Sequence, residues 1–290
     1  MDKKEIDDIS GVETTGHEWD GIKELNNPLP RWWLWTFYAC IVWAIGYVIA
    51  YPAVPMISGA TKGLLGYSSR GEFAEKVAAA KADQAVYLNQ LNTMDVADIL
   101  ADDELARFAR AGGASAFKVN CSQCHGSGAQ GAKGFPNLND DEWIWGGTID
   151  AIYTTIAHGV RYEPDFDTRF NEMPAFGRDG ILNGEEILAV ANYVASISGG
   201  EADRAIRAEG QALFTENCAA CHGESGEGVA DLGGPALNNA IWLYGDNSIE
   251  ALTTQINTPS HGVMPAWNVK LGDTVVKQLA VYVHGLGGGQ

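Results

Sequence analysis

The 290-residue sequence predicts a mainly α-helical protein: one N-terminal transmembrane helix followed by two tandem copies of one small domain. Two observations carry this expectation. Residues 32–51 form a twenty-residue run without a charge, and a block of the second half of the chain repeats a block of the first. The hydrophobic share of 46%, with 10% aromatics, excludes a disordered chain and a polytopic membrane protein. Glycine is frequent, at 35 residues, which implies generous loops between the helices.

At a rise of about 1.5 Å per residue, residues 32–51 match a hydrocarbon core of about 30 Å and cross a bilayer once. Trp32, Trp33 and Trp35 cluster at one end and Tyr47 and Tyr51 at the other, where amphipathic rings favour the headgroup level; Pro30 and Pro52 bracket the helix. A cleaved signal peptide would begin short and basic, whereas residues 1–31 are mostly polar and carry eight acids, so an uncleaved anchor is expected. Cys40, inside the span, reads as a small packing residue.

Residues 52–107 read as a connector. A Gly-rich stretch, 56–66, leads into an Ala-rich stretch, 70–91, of helical composition. Asp102 is a candidate N-cap for a helix through Arg110, with Gly112 and Gly113 expected to end it. Two copies follow, 108–200 and 201–290, with a boundary at Gly199-Gly200. Gly113-Ala-Ser-Ala-Phe117-Lys-Val-Asn120-Cys121 recurs as Gly210-Gln-Ala-Leu-Phe214-Thr-Glu-Asn217-Cys218. Pro136-Asn-Leu138-Asn139 answers Pro235-Ala-Leu237-Asn238, and Trp143-Ile-Trp145-Gly146 answers Trp242-Leu-Tyr244-Gly245. Met173-Pro-Ala-Phe176 answers Met264-Pro-Ala-Trp267, and Ala191 and Tyr193 answer Ala280 and Tyr282. Residues 161–172 are extra in the first copy, between its His-Gly-Val and its Met-Pro-Ala.

Four of the five cysteines lie in two C-x-x-C-H units, Cys121-Cys124-His125 and Cys218-Cys221-His222. This is the c-type haem attachment signal: two thiols add to the two vinyl groups of one haem and the adjacent imidazole reaches its iron. A zinc ribbon wants its cysteine pairs about 15 to 20 residues apart, far closer than these, and neither motif sits in the βαβ pattern of a thioredoxin-like redox pair. Two covalently bound haem c groups are therefore expected, held in two tandem class I cytochrome c domains.

An iron that carries electrons without binding small molecules needs a sixth ligand. Met173 and Met264 are the candidates because they recur in the same context, and a thioether favours ferrous iron. Each copy is expected to supply its own methionine because the two are spaced alike; spacing alone leaves exchange between the copies open. His158 and His261, each in His-Gly-Val, compete for the same role and read better as loop hydrogen-bonding residues. His17 and His284 lack a repeated context and read as solvent-facing. Pro136 and Pro235 are placed to offer a carbonyl to the proximal imidazole. Trp143, Trp145, Trp242 and Tyr244 suit either packing on haem or an ordinary aromatic core.

The run Asn27-Pro-Leu-Pro-Arg-Trp-Trp-Leu-Trp-Thr-Phe-Tyr38, followed by one span and two c-type motifs, resembles the CcoP (FixP) subunit of cbb3-type cytochrome c oxidases over nearly the whole chain. The resemblance implies that the chain takes electrons from a donor cytochrome c, soluble or membrane-anchored, and passes them to a monohaem cytochrome c subunit. Oxygen would be reduced in the catalytic haem-copper subunit. It also implies a bacterial inner membrane, with residues 1–31 cytoplasmic and both haem domains periplasmic. No catalytic residue is expected, since no convergent acid-base or nucleophilic set is recognisable. The rival readings are a free-standing anchored dihaem shuttle and a dihaem peroxidase. The formal charge of −18, spread evenly along the chain, makes nucleic-acid binding unexpected; it reads first as a matter of solubility, with attraction of a basic partner as the alternative.

Overall fold

A computed structural model describes residues 5–289; the first four residues of the N-terminal segment and Gln290 lie outside that range. The chain forms two compact units that divide between Asp83 and Gln84.

In the first unit, strands β1 (Thr14–Trp19) and β2 (Ile22–Leu25) form an antiparallel hairpin not foreseen in the sequence. Its Asp20-Gly21 turn has positive φ at both residues, 48° and 87°, the backbone twist that matches two-residue hairpins. Helix α1 (Arg31–Ala50) follows Pro30, which supplies a fixed φ and needs no N–H partner, and it has a mean hydropathy of 1.7. None of its residues is buried, so its apolar surface faces outward all round, as a lipid-exposed helix requires. The expected span differs from it by one residue at each end. A short hairpin, β3 (Pro55–Met56) and β4 (Gly59–Ala60), leads to helix α2 (Ser69–Thr93), which runs across the division between the units.

The second unit is helical. Its elements are the end of α2, α3 (Val96–Ala101), α4 (Asp103–Asn120), α5 (Ser122–His125), α6 (Ile149–His158), α7 (Gly184–Ile197), α8 (Arg207–Asn217), α9 (Ala219–His222), α10 (Ile249–Asn257), α11 (Asn268–Leu271) and α12 (Asp273–His284). Asp102 caps α4 as expected, its carboxylate accepting from the N–H groups of Glu104 and Leu105. The helix does not stop at Gly112 and Gly113 but continues to Asn120.

Those glycines have another task. A Cβ on Gly113 would overlap the Gln278 carbonyl of α12, so its absence lets the two helix backbones touch. The equivalent Gly210 in α8 meets the Ala189 carbonyl of α7 in the same way. Beside each crossing an aromatic pair locks the contact: Phe117 with Tyr282 at 5.4 Å, and Phe214 with Tyr193 at 5.1 Å.

Each crossing therefore joins helices from different sequence copies. One core collects α3, α4, α6 and α12, with Leu91, Ile99, Phe117, Ile152 and Leu279 inside; the other collects α7, α8 and α10, with Ile187, Val190, Phe214 and Leu252 inside. The repeat of the sequence and the packed unit of the fold are different divisions of the chain. The physical reason is that both copies carry the same helix interface, so either closing helix fits either partner, and the connectors decide which pair forms. The exchange happens where the two connectors run side by side: Val160 and Met264 donate N–H groups to each other's carbonyls at 2.9 and 3.0 Å. Gly159 allows this approach, with φ of 72° and no room for a Cβ against the Met264 carbonyl.

A buried polar group braces the first core. The ammonium of Lys277 in α12 donates to Asp273 at 2.8 Å and to the Leu91 carbonyl at 3.2 Å, and the Tyr153 hydroxyl of α6 donates to Asp273 at 2.5 Å. The Leu91 carbonyl lies in the last turn of α2, the negative end of that helix, where a cation is favoured.

Candidate haem sites

Each C-x-x-C-H motif folds as a single helical turn, α5 and α9, opened by its first cysteine. The N–H of His125 donates to the Cys121 carbonyl at 3.0 Å, and that of His222 to the Cys218 carbonyl at 2.9 Å. Residues three apart share a helix face, so one turn presents both thiols together and the imidazole next to them. The following loops repeat as well: Gly131 N–H donates to His125 at 2.8 Å and Gly228 N–H to His222 at 2.7 Å.

The imidazoles are oriented as their neighbours predict. His125 Nδ1 lies 3.0 Å from the Pro136 carbonyl and His222 Nδ1 lies 2.9 Å from the Pro235 carbonyl. A carbonyl only accepts, so Nδ1 carries the proton and Nε2 is left with a lone pair for a metal. Burial pushes both histidines below the usual imidazole range, against the opposing pull of the proline carbonyls. Both rings are neutral at pH 7, the form that ligates iron. Burial, then the neighbouring cysteine, pushes the Cys121 and Cys218 thiols up to about 11. Such thiols stay protonated at neutral pH.

The methionines are where the structure departs from the simplest sequence expectation. An apolar cavity beside α5 is lined by Phe117, Cys121, Cys124, His125 and, from the other copy, Met264 and Leu279. Met173 instead packs against the core that holds Cys218, Phe214 and Trp242. The structure thus places Met264 beside the first motif and Met173 on the core of the second, across the copies rather than within them, because the chain crosses between α6 and Met173 and crosses back between α10 and Met264. Residues 162–258 build the second core almost continuously, whereas the first is assembled from residues on both sides of that stretch.

His158 and His261 do not line the cavity. His158 Nδ1 sits 3.3 Å from Asp165, and His261 Nε2 accepts the N–H of Met173 at 3.1 Å, a loop-holding role consistent with the sequence reading. His17 is exposed and His284 is half-buried. Trp143 and Trp145 line the first cavity, while Trp145 also lies against Gly233 of the second motif's loop and Tyr244 lies against Gly134 of the first.

The residues fit haem. An apolar cleft, paired thiols, a neutral directed imidazole and a thioether are the donor set that a covalently held, six-coordinate haem requires. Two buried donors point the same way: Trp242 Nε1 and Arg169 Nε find no acceptor among the described residues. Buried N–H groups of this kind suit the carboxylates that haem carries. Sequence reasoning had not singled out Arg169, Arg161 or Asn171; the extra segment 161–172 that contains them was the available signal.

Comparison with known proteins agrees with this chemistry. Residues 11–58 match the family model described as the N-terminal domain of cytochrome oxidase-cbb3, FixP. Residues 108–194 and 205–283 match the model described as cytochrome C oxidase, cbb3-type, subunit III. The chain belongs to the FixP/CcoP family. Among curated relatives, the cbb3-type cytochrome c oxidase subunit FixP of Rhizobium meliloti is 56% identical over 287 residues, covering 99% of this chain and 98% of the relative. The CcoP subunit of Cereibacter sphaeroides is 51% identical over 277 residues, covering 96% and 95%. FixP/CcoP chains are subunits of an oxidoreductase complex, the cbb3-type cytochrome c oxidase, and the matched domains imply haem c binding. The apolar helix α1 is consistent with membrane anchoring of such a subunit.

Proposed function

We propose that this chain is the electron-accepting subunit of the oxidase, carrying two covalently bound haem c groups between a donor cytochrome c and the monohaem cytochrome c subunit, with oxygen reduced in the haem-copper subunit. One haem would be attached at Cys121 and Cys124 with His125 and Met264 as axial ligands. The other would be attached at Cys218 and Cys221 with His222 and Met173. The observation that carries the reading is that each motif, with its imidazole already directed by a proline carbonyl, shares a core with one methionine contributed by the opposite copy.

When bound, haem supplies one-electron chemistry at iron. The chain's own residues do the rest. The proline carbonyls hold His125 and His222 in one tautomer and raise their basicity. A thioether at each sixth position favours the ferrous state, which raises the potential relative to a second imidazole. Phe117, Trp143, Ile152 and Leu279 form an apolar wall that lowers the local dielectric and keeps water from the first site. If Met264 and Met173 serve as the second ligands, the chain's own residues would leave no position for peroxide, which favours an electron carrier over a peroxidase.

The helix α1 would place residues 1–31 in the cytoplasm and the haem domains in the periplasm of a bacterial inner membrane. The test is an alkaline pyridine assay joined to a redox titration of the mature full chain. Two haem c equivalents and two one-electron steps support the reading; fewer than two equivalents overturns it.

A further inference from the structure

The connector that begins the exchange carries a residue with no counterpart in the second copy. Arg161 sits at a φ of 52°, a backbone state costly for a residue with a side chain, and its side chain lines the cavity that holds Cys121, His125 and Met264. Its guanidinium is spent on two backbone carbonyls. Nε donates to Gly262 at 2.7 Å and Nη1 donates to Asn171 at 2.9 Å. Gly262 stands two residues before Met264, and Asn171 stands two residues before Met173. One planar fork therefore grips both methionine-bearing segments two residues before each methionine.

The surroundings carry the grip onward. Asn171 turns its own amide to the Leu232 carbonyl at 2.7 Å, with Cys221 Sγ 4.0 Å away, tying the first strand to the second motif. The Met173 N–H is held by His261 Nε2, one residue from Gly262, while Met264 is held by Val160, next to Arg161 itself. A hydrogen bond from a charged donor is stronger than a neutral one, and only a guanidinium offers two rigid, divergent donors of this kind.

We propose that Arg161 is the positioning residue for both methionines, so that the coordination of one haem is mechanically tied to that of the other. This rests on the reading of Met173 and Met264 as axial ligands.

The test uses the mature full chain in detergent. In the reduced state each coordinated methionine gives a methyl proton resonance displaced by the haem ring current, and the two are assigned with Met264→Ala and Met173→Ala. Arg161→Gln is expected to move both resonances and lower both midpoint potentials, with covalent haem content unchanged. Arg161→Lys restores the charge without the fork, so both resonances stay displaced. His261→Ala moves the Met173 resonance alone and guards against a general loosening of the fold. A methionine resonance that stays in place in Arg161→Gln overturns the inference. Absence of both resonances from the unaltered chain overturns the ligand reading and this inference together, so the two failures are told apart.

Discussion

Leu279→Ala separates the packed units of the fold from the repeats of the sequence. Leu279 belongs to the second copy, yet it is fully buried in the first core and lines the cavity beside Cys121. Truncating a buried leucine costs about 2–5 kcal/mol, the range being set by how far the neighbours collapse. At about 1.4 kcal/mol per factor of ten, the opening equilibrium of the first core rises roughly 30- to 4,000-fold. That is a large part of the 5–15 kcal/mol a domain usually commands. Native-state amide hydrogen exchange reads the change helix by helix, because protection follows the opening free energy of each cooperative unit. Protection is expected to fall by that factor in α4, α6 and α12 and to hold in α7, α8 and α10. Loss concentrated in α8 and α10, the helices of residue 279's own sequence copy, would refute the exchanged packing and with it the pairing of Met264 with the first motif.

Met264→His is expected to lower the midpoint potential of the haem attached at Cys121 and Cys124, on the order of 0.1–0.3 V within the roughly 0.8 V that axial ligands span, leaving the other haem unchanged; a redox titration of the full chain checks it. Cys121→Ser removes one of the two thioethers at the first site only, so haem-stained denaturing gels should show weakened retention there and intact retention at Cys218 and Cys221. For Asp273, burial pushes the carboxyl up, but Lys277 and then Tyr153 together hold it below its ordinary value. Its stabilising contribution is therefore complete above the unfolded value of about 3.9 and lost as pH falls through the lower folded value. Asp273→Asn should cost about 1–2 kcal/mol at pH 7, discounted because the carboxylate is partly exposed, and the gap should close in acid; urea midpoints at the two pH values measure it.

Local chemistry is legible along the chain because it depends on neighbours in sequence. The uncharged run between Pro30 and Pro52 must find an apolar medium or an apolar partner. Cys121, Cys124 and His125 meet whenever one turn of helix forms, and the same holds for Cys218, Cys221 and His222. Even the proline carbonyls on the imidazoles follow from the duplicated loop that joins His125 to Pro136 and His222 to Pro235. The Asp20-Gly21 hairpin was equally local, and its two-residue turn signal was present but unread.

Partnership between distant elements is another matter. Gly113 and Gly210, Phe117 and Phe214, Tyr193 and Tyr282 are equivalent residues, so the two helix crossings are built from the same kinds of contact. A repeated sequence makes the two pairings nearly equal in contact energy and cannot choose between them. The choice lies in the connectors: in Gly159, which lets Val160 run against Met264, and in the segment 161–172, long enough to carry Met173 to the other core. The candidate ligand residues were therefore written in each copy, while which methionine packs beside which motif was decided only when the chain folded across itself.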